Sequence, residues 1–213
     1  MLAIASRRDL YLSGLALAGC AGSLLPLPLL FAGLWPMRLS VPFLVPPSLL
    51  LLLALAVYAR SWGSERFWAL YAAGFAGGLT GTVVYDAVRA GGLLVRFPGF
   101  QVIHMFGMLI TGQTEFTPVA AVCGWVYHFL NGGVFGIVYA LIVGRGNVWW
   151  GMGWGLFLEG GMLLTYPKTF GIDMGWGSVA LTFSLLGHLA YGATLAIAVR
   201  RLLATRMETD ARR

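Results

Sequence analysis

The stretch that decides the fold is residues 116–144, FTPVAAVCGWVYHFLNGGVFGIVYALIVG. It contains no Asp, Glu, Lys or Arg, and His128 interrupts it near the middle. A helix of about 20 mainly apolar residues crosses a bilayer, so this stretch exceeds one crossing and should tilt or project. The sequence therefore predicts a transmembrane helix that carries a histidine inside the membrane.

Five further stretches are similarly apolar. The six predicted spans are Leu10–Leu34, Val45–Tyr58, Phe67–Val84, Phe116–Gly144, Asn147–Tyr166 and Trp176–Val199. Pro26 and Pro28 predict a kink in the outer third of the first span. The second span is short unless its first turn starts at Pro46 or Pro47, where proline is tolerated. The Pro98–Gly112 run is too short to cross and is predicted to form an interfacial or re-entrant helix. No linker divides the chain, so residues 1–213 should form a single all-α membrane domain.

The composition also excludes a soluble protein. Of the 213 residues, 59% are hydrophobic and only 10% are charged, whereas soluble domains carry about 25% charged residues. Thirty glycines and eight tryptophans suit close helix packing and interfacial anchoring. The net charge of +6 does not indicate nucleic-acid binding, because the basic residues are dispersed. The expected partner is the lipid bilayer, with a homo-oligomer or a larger membrane complex left open.

The basic residues predict the orientation. If the N-terminus is internal, ten of them lie on the inner side and four on the outer side, and inner loops of membrane proteins are enriched in Lys and Arg. The inner set is Arg7, Arg8, Arg60, Arg66, Arg145, Arg200, Arg201, Arg206, Arg212 and Arg213, and the outer set is Arg38, Arg89, Arg96 and Lys168. Both termini are therefore predicted to be cytoplasmic.

The N-terminal segment contains two signal-like motifs. Ser6–Leu10 is similar to a twin-arginine export signal, and Leu17–Cys20 matches a lipoprotein cleavage box. However, the apolar run continues through Leu34 and further spans follow it. We therefore expect this segment to remain uncleaved as the first membrane helix.

Three ionisable residues, His128, Glu159 and His188, are predicted to lie between the midplane and the outer half of the membrane. Ionisable groups at this depth are costly and need a partner or a function. Adjacent helices could bring them together, and tyrosine and asparagine side chains nearby could orient an imidazole. The candidate intramembrane polar cluster is His128, Glu159, His188, Asn131, Tyr127 and Tyr191.

Several interpretations of this cluster stay open. Buried histidine and glutamate form proton and solute pathways, two imidazoles and a carboxylate can bind zinc or iron, and two histidines can be axial haem ligands. Alternatively, each histidine simply hydrogen-bonds across a helix interface. A His-x-x-x-Gly spacing occurs at 128–132 and at 188–192 and favours close helix packing. The identity of any cofactor or metal is not indicated.

A second polar cluster is predicted at the outer rim. Asp86 and Arg89 lie three residues apart and can pair on one helix face. If the Pro98–Gly112 helix folds over the bundle, His104 and Glu115 would line an outer vestibule above the intramembrane cluster.

The sequence contains no Walker loop, no HExxH, no G-x-S-x-G and no paired aspartates for a prenyl diphosphate, which favours a non-enzymatic role. We expect a small-solute or proton-linked membrane pathway or a stress-tolerance factor. The alternative is an accessory or cofactor-holding subunit, with haem or metal, of a larger membrane complex.

The C-terminal half resembles a family of uncharacterised bacterial inner-membrane proteins related to YagU. The resemblance is carried by short pieces, which are Gly124–Gly132, Phe135–Ala140, Trp154-Gly155, Tyr166-Pro167 and Leu186–Gly192. The resemblance implies a compact multi-span bundle in the bacterial inner membrane. It also implies that His128 and His188 match histidine positions of that family. It implies no particular reaction.

Overall fold

The computed structural model describes residues 6–96 and 99–211, with side chains through Arg206. Pro98, Arg212 and Arg213, which enter the predictions above, lie outside the described residues. The described chain is helical and contains no β-strand. Its helices are α1 (Arg7–Leu24), α2 (Pro26–Phe31), α3 (Met37–Ser61), α4 (Glu65–Gly91), α5 (Gln101–Thr111), α6 (Pro118–Ile142), α7 (Val148–Phe170) and α8 (Val179–Ala211), with a 3₁₀ turn at Gly92–Val95. The predicted all-α helical bundle is confirmed.

Four helical segments are long and apolar enough to cross a membrane: Met37–Ser61, Glu65–Val95, Pro118–Ile142 and Val179–Arg206. They correspond to the second, third, fourth and sixth predicted spans. Helices α1 and α7 pack against this set without meeting the same criteria. The membrane character is therefore confirmed, and a count of six crossings stays a prediction.

Helix α3 starts earlier than the sequence indicates. It begins at Met37 rather than near Val45 and continues through Pro42, Pro46 and Pro47. An interior proline removes a backbone hydrogen bond and crowds the preceding turn. Membrane helices tolerate this because neighbouring groups and local adjustments compensate for the lost bond. The prolines therefore do not mark the helix start.

The first predicted span is interrupted where its prolines predict a kink. Helix α1 ends at Leu24, and α2 begins at Pro26 after a single intervening residue. Pro26 has no N–H to continue the hydrogen-bond ladder. The segment is thus one helix followed by a short second one.

Helix α4 is central and packs on both α6 and α8, while α7 packs on α8 and α5 on α6. Missing side chains set the α4–α6 spacing, because a Cβ on Gly74 would lie 2.6 Å from the carbonyl oxygen of Gly136. Farther along, Gly78 faces Gly132, so the two helices are antiparallel. Glycine contacts between α8 and α4, and between α8 and α7, also run in opposite chain order, so α8 is antiparallel to both helices. The C-terminal ends of α4 and α7 therefore meet the N-terminal ends of α6 and α8.

Candidate intramembrane binding site

The ends that meet in this way bring polar side chains from four helices to one half of the bundle. His188 is the first of them. Its Nδ1 lies 2.7 Å from Glu159 Oε2 and 2.9 Å from the carbonyl oxygen of Ser184. A carbonyl oxygen can only accept, so Nδ1 carries the proton and donates it to Ser184, with the Glu159 carboxylate beside it at ion-pair distance. The Ser184 hydroxyl donates to the same Glu159 oxygen at 2.7 Å. Glu159 of α7 and His188 of α8 are called here the inner pair, and Ser184 is hydrogen-bonded to both residues.

The inner pair is fully enclosed by protein. Glu159 is 1% exposed and His188 is 3% exposed. Glycine makes this contact possible, because a side chain on Gly155 would collide with the His188 carbonyl oxygen. Glu159 Oε1 has no hydrogen-bond partner among the described residues. An unsatisfied buried carboxylate oxygen is costly, which makes this group a candidate for proton exchange.

A second histidine–carboxylate pair joins α6 to α4. His128 Nε2 lies 3.0 Å from Asp86 Oδ1 and 3.1 Å from Oδ2, so the imidazole N–H is shared between both carboxylate oxygens. The two side chains are 15% and 13% exposed, which makes this pair less enclosed than the inner one. We call it the outer pair.

Tyr85 connects the two pairs. Its ring centroid lies 4.8 Å from that of His188, in an edge-on arrangement, and 6.0 Å from that of His128. The ring also packs under Gly187, where a Cβ would come within 2.8 Å. His128, Glu159 and His188 therefore do not form a single centre: His128 pairs with Asp86, His188 pairs with Glu159, and the Tyr85 ring lies between the two pairs.

An inner cavity of about 80 Å³ lies between these pairs. That space is enough for several water molecules, since one needs roughly 10–15 Å³ by this measure. His128, His188 and Asn131 line it, together with Thr82 and Tyr191. Asn131 Oδ1 is buried without a hydrogen-bond partner in the described chain. The cavity is therefore polar along one wall.

The remaining predicted members of the cluster have structural contacts. The Tyr191 hydroxyl donates to the Gly132 carbonyl oxygen at 2.8 Å, which ties α8 to α6. Tyr127 is buried against Phe106 of α5, with ring centroids 5.9 Å apart. Tyr127 is not one of the residues that line the inner cavity.

An outer cavity of about 510 Å³ adjoins the inner one. The two share four lining residues, Tyr85, Arg89, Val102 and Tyr166. The outer cavity is bounded by the C-terminal ends of α4 and α7, the N-terminal ends of α5 and α8, and the loop between α7 and α8. Tyr85 and Arg89 therefore lie at the boundary between the two cavities.

The predicted rim contacts differ from those in the structure. Asp86 bonds His128, and Arg89 has no carboxylate within salt-bridge distance among the described residues. The arginine is instead 7% exposed, with its guanidinium carbon 5.2 Å from the Tyr85 ring centroid. Because Asp86 bonds the His128 imidazole of another helix, it does not pair with Arg89, its neighbour on α4.

His104 and Glu115 lie away from both cavities. Helix α5 pairs alongside α6, with Gly107 against Ala120 and Ile103 against Gly124, rather than folding over the bundle. The His104 ring therefore packs on Phe116, at a centroid distance of 4.1 Å, and Glu115 is exposed. The outer cavity is instead lined by the α7–α8 loop.

Sequence reasoning missed two members of the site, Tyr85 and Ser184. Ser184 lies one helical turn before His188, and this i, i+4 spacing is a signal that could have indicated it. Tyr85 carries no distinguishing local pattern, because an aromatic residue in an apolar helix is ordinary packing material.

No group of three or more His, Cys, Asp and Glu side chains that could hold a metal ion occurs in the described part of the chain. No protein-family model, curated protein or solved structure matches this chain. The resemblance to YagU-related proteins therefore stays a prediction.

Proposed function

We propose that the protein is a proton-linked membrane pathway for a small solute. The observation that carries this proposal is the buried His188–Glu159 pair beside a polar cavity. The proposal also holds that α1 and α7 cross the membrane, that both termini are cytoplasmic, and that the membrane is the bacterial inner membrane. The distribution of basic residues supports the orientation, and the resemblance of the C-terminal half supports the location.

The inner pair has the chemistry of a proton acceptor. Because Nδ1 of His188 is engaged as a donor, its Nε2 is the nitrogen that can accept a proton, and His188 lines the inner cavity. The imidazolium formed in this way would have a carboxylate 2.7 Å away. A buried charge is tolerated when such a partner is in place, so Glu159 stabilises a proton held in the membrane interior.

The outer pair offers a second protonatable group on the same route. His128 also lines the inner cavity, and Asp86 would stabilise its charged form. Tyr85 separates the two imidazoles, so a proton would pass between them through cavity water or with movement of the ring. Histidine–carboxylate chains of this kind form relays in membrane transporters.

Tight helix packing closes the far side of the inner cavity. Beyond Thr82, α4 and α6 approach closely at Gly78 and at Gly74. A solute can therefore be admitted from the outer cavity while the opposite end is closed. Release on the other side would require α4 and α6 to separate at these glycines.

The cofactor-holding alternative has no specific observation in its favour. His128 Nε2 is bound to Asp86 and His188 Nδ1 to Glu159. To hold one metal ion together, the two histidines would have to use their other ring nitrogens, and the Tyr85 ring lies between the two imidazoles.

The proposal is tested with full-length protein in liposomes that contain a trapped pH-sensitive dye. Lactate, glycine, choline and glucose are added outside in turn, and internal pH is followed. At least one solute should move protons faster than in protein-free liposomes, and Glu159→Gln should abolish the difference. Rates equal to protein-free liposomes for all four solutes would contradict the proposal.

A further inference from the structure

Arg89 is a buried cation at the boundary between the two cavities. It lies in the last turn of α4, is 7% exposed, and lines both the inner and the outer cavity. Among the residues that the structure describes, no carboxylate lies within 4 Å of it. Its nearest acidic neighbour along the helix, Asp86, is taken by His128.

Two features make this position tolerable for a guanidinium. Its central carbon lies 5.2 Å from the Tyr85 ring centroid and 5.8 Å from that of Phe100, and aromatic faces attract cations. The C-terminal end of α4 also carries partial negative charge, which favours a cation there. These contacts fix the guanidinium in place. They do not occupy the N–H edge, which is the part that binds anions in a forked geometry.

We propose that Arg89 binds a small monocarboxylate anion that enters through the outer cavity. This inference rests on the proposed function and names the solute class for the same site. A guanidinium matches a carboxylate through two parallel N–H···O bonds. With no counter-ion from the described chain, Arg89 has this capacity available.

The surroundings favour one negative charge rather than two. Arg89 is the only Arg, Lys or His among the described residues that line the outer cavity. The hydroxyls of Ser178 and Ser184 add neutral hydrogen-bonding groups. Asp173, the acidic residue in this lining, is exposed, and its Oδ1 accepts the Gly175 N–H at 2.8 Å. A single cation suits a monocarboxylate better than a phosphate, which carries more charge.

The cavity wall also indicates an apolar part in the solute. Ile172, Met174, Val179 and Ala180 line the outer cavity on the side of the α7–α8 loop. A short alkyl chain would be removed from water against these residues while the carboxylate reaches Arg89. The anion would then lie beside Tyr85, which contacts both imidazoles, so a proton on either pair would balance its charge.

Titration calorimetry of the full-length protein in detergent tests this proposal. The probes are butyrate, its neutral isostere butyramide, and inorganic phosphate. Butyrate should bind, and butyramide should bind at least about ten-fold more weakly, as expected when a hydrogen bond to a charged group is lost. Arg89→Gln should weaken butyrate binding by about ten- to one-hundred-fold, and Arg89→Lys by less. Arg38→Gln, a change at an exposed arginine that lines a separate cavity, should have no effect.

Equal binding of butyrate and butyramide by the wild-type protein would overturn the proposal, and this comparison does not require any variant to fold. Unchanged butyrate affinity in a folded Arg89→Gln variant would also overturn it, as would binding of phosphate but not butyrate. These outcomes are separate from failure of the proposed function, which is measured by proton movement in liposomes and by Glu159→Gln. If a neutral or cationic solute moves protons there, the pathway stands and the carboxylate assignment fails.

Discussion

Replacement of Glu159 tests whether the inner pair stabilises the fold. Glu159→Leu removes the acceptor of the Ser184 hydroxyl and the carboxylate beside His188 Nδ1, and leaves the hydroxyl without this acceptor in a site that is nearly inaccessible to water. Leaving a buried donor unsatisfied costs about 1–3 kcal/mol. Glu159→Gln keeps an amide oxygen that can accept from the Ser184 hydroxyl, so it should lose only charge assistance, about 1 kcal/mol.

The assay is thermal unfolding of the purified protein in detergent, followed by tryptophan fluorescence. For a chain of this size, 1 kcal/mol corresponds to a shift in Tm of about 2–4 °C. Glu159→Leu should therefore lower Tm by about 2–12 °C, and Glu159→Gln by about 2–4 °C. Glu65 provides the matched control, because its 2.8 Å pair with Arg206 is exposed and such pairs contribute less than about 1 kcal/mol.

The order of the melting temperatures among the variants tests whether Glu159 stabilises the fold. Glu65→Leu should shift Tm far less than Glu159→Leu does. If Glu159→Leu unfolds at the wild-type temperature or above it, the hydrogen-bonded arrangement of Glu159, Ser184 and His188 is not a stabilising part of the protein. The physical basis of the inner pair would then be refuted, whatever the protein transports.

Two other changes test helix packing and orientation. Gly155→Ala should lower the free energy of unfolding by about 1–3 kcal/mol, because its Cβ would collide with the His188 carbonyl oxygen. Gly153→Ala should raise the free energy of unfolding by up to about 1 kcal/mol, because no atom lies within 4 Å of the added Cβ. Equal thermal shifts for the two variants would contradict the packing of α7 on α8. With both native cysteines replaced, Ser178→Cys should react with a membrane-impermeant thiol reagent in intact cells and Thr205→Cys only after permeabilisation, and the reverse pattern would invert the proposed orientation.

The sequence predicts the helical architecture well because long apolar stretches in a 10% charged chain have few alternatives. A helix start can be predicted where a capping residue is present. The Asn147 side chain accepts from the backbone N–H groups of Trp149 and Trp150, and α7 begins directly after it. The start of α3 was not predicted. Prolines at 42, 46 and 47 indicate a boundary by local rules, and tertiary packing in an apolar environment overrides them.

The pairings in the site could not be derived from sequence spacing. Asp86 is equally able to bond Arg89 on its own helix or His128 on another, and only the register between α4 and α6 decides between them. That register is set by contacts such as Gly78 against Gly132, which spacing along one helix does not reveal. The predicted spans allow Glu159 and His188 to approach each other on neighbouring helices, but they do not indicate the 2.7 Å contact between Glu159 Oε2 and His188 Nδ1.

Uptake driven by a pH gradient tests whether solute movement is linked to protons held by the buried pairs. Liposomes with full-length protein are made more alkaline inside than outside, with radiolabelled lactate, glycine, choline or glucose at equal concentration on both sides. Wild-type protein should accumulate at least one of these solutes above the level in protein-free liposomes, and Glu159→Gln should not. Accumulation by Glu159→Gln equal to wild type, or no accumulation of any of the four solutes by wild type, would contradict this linkage.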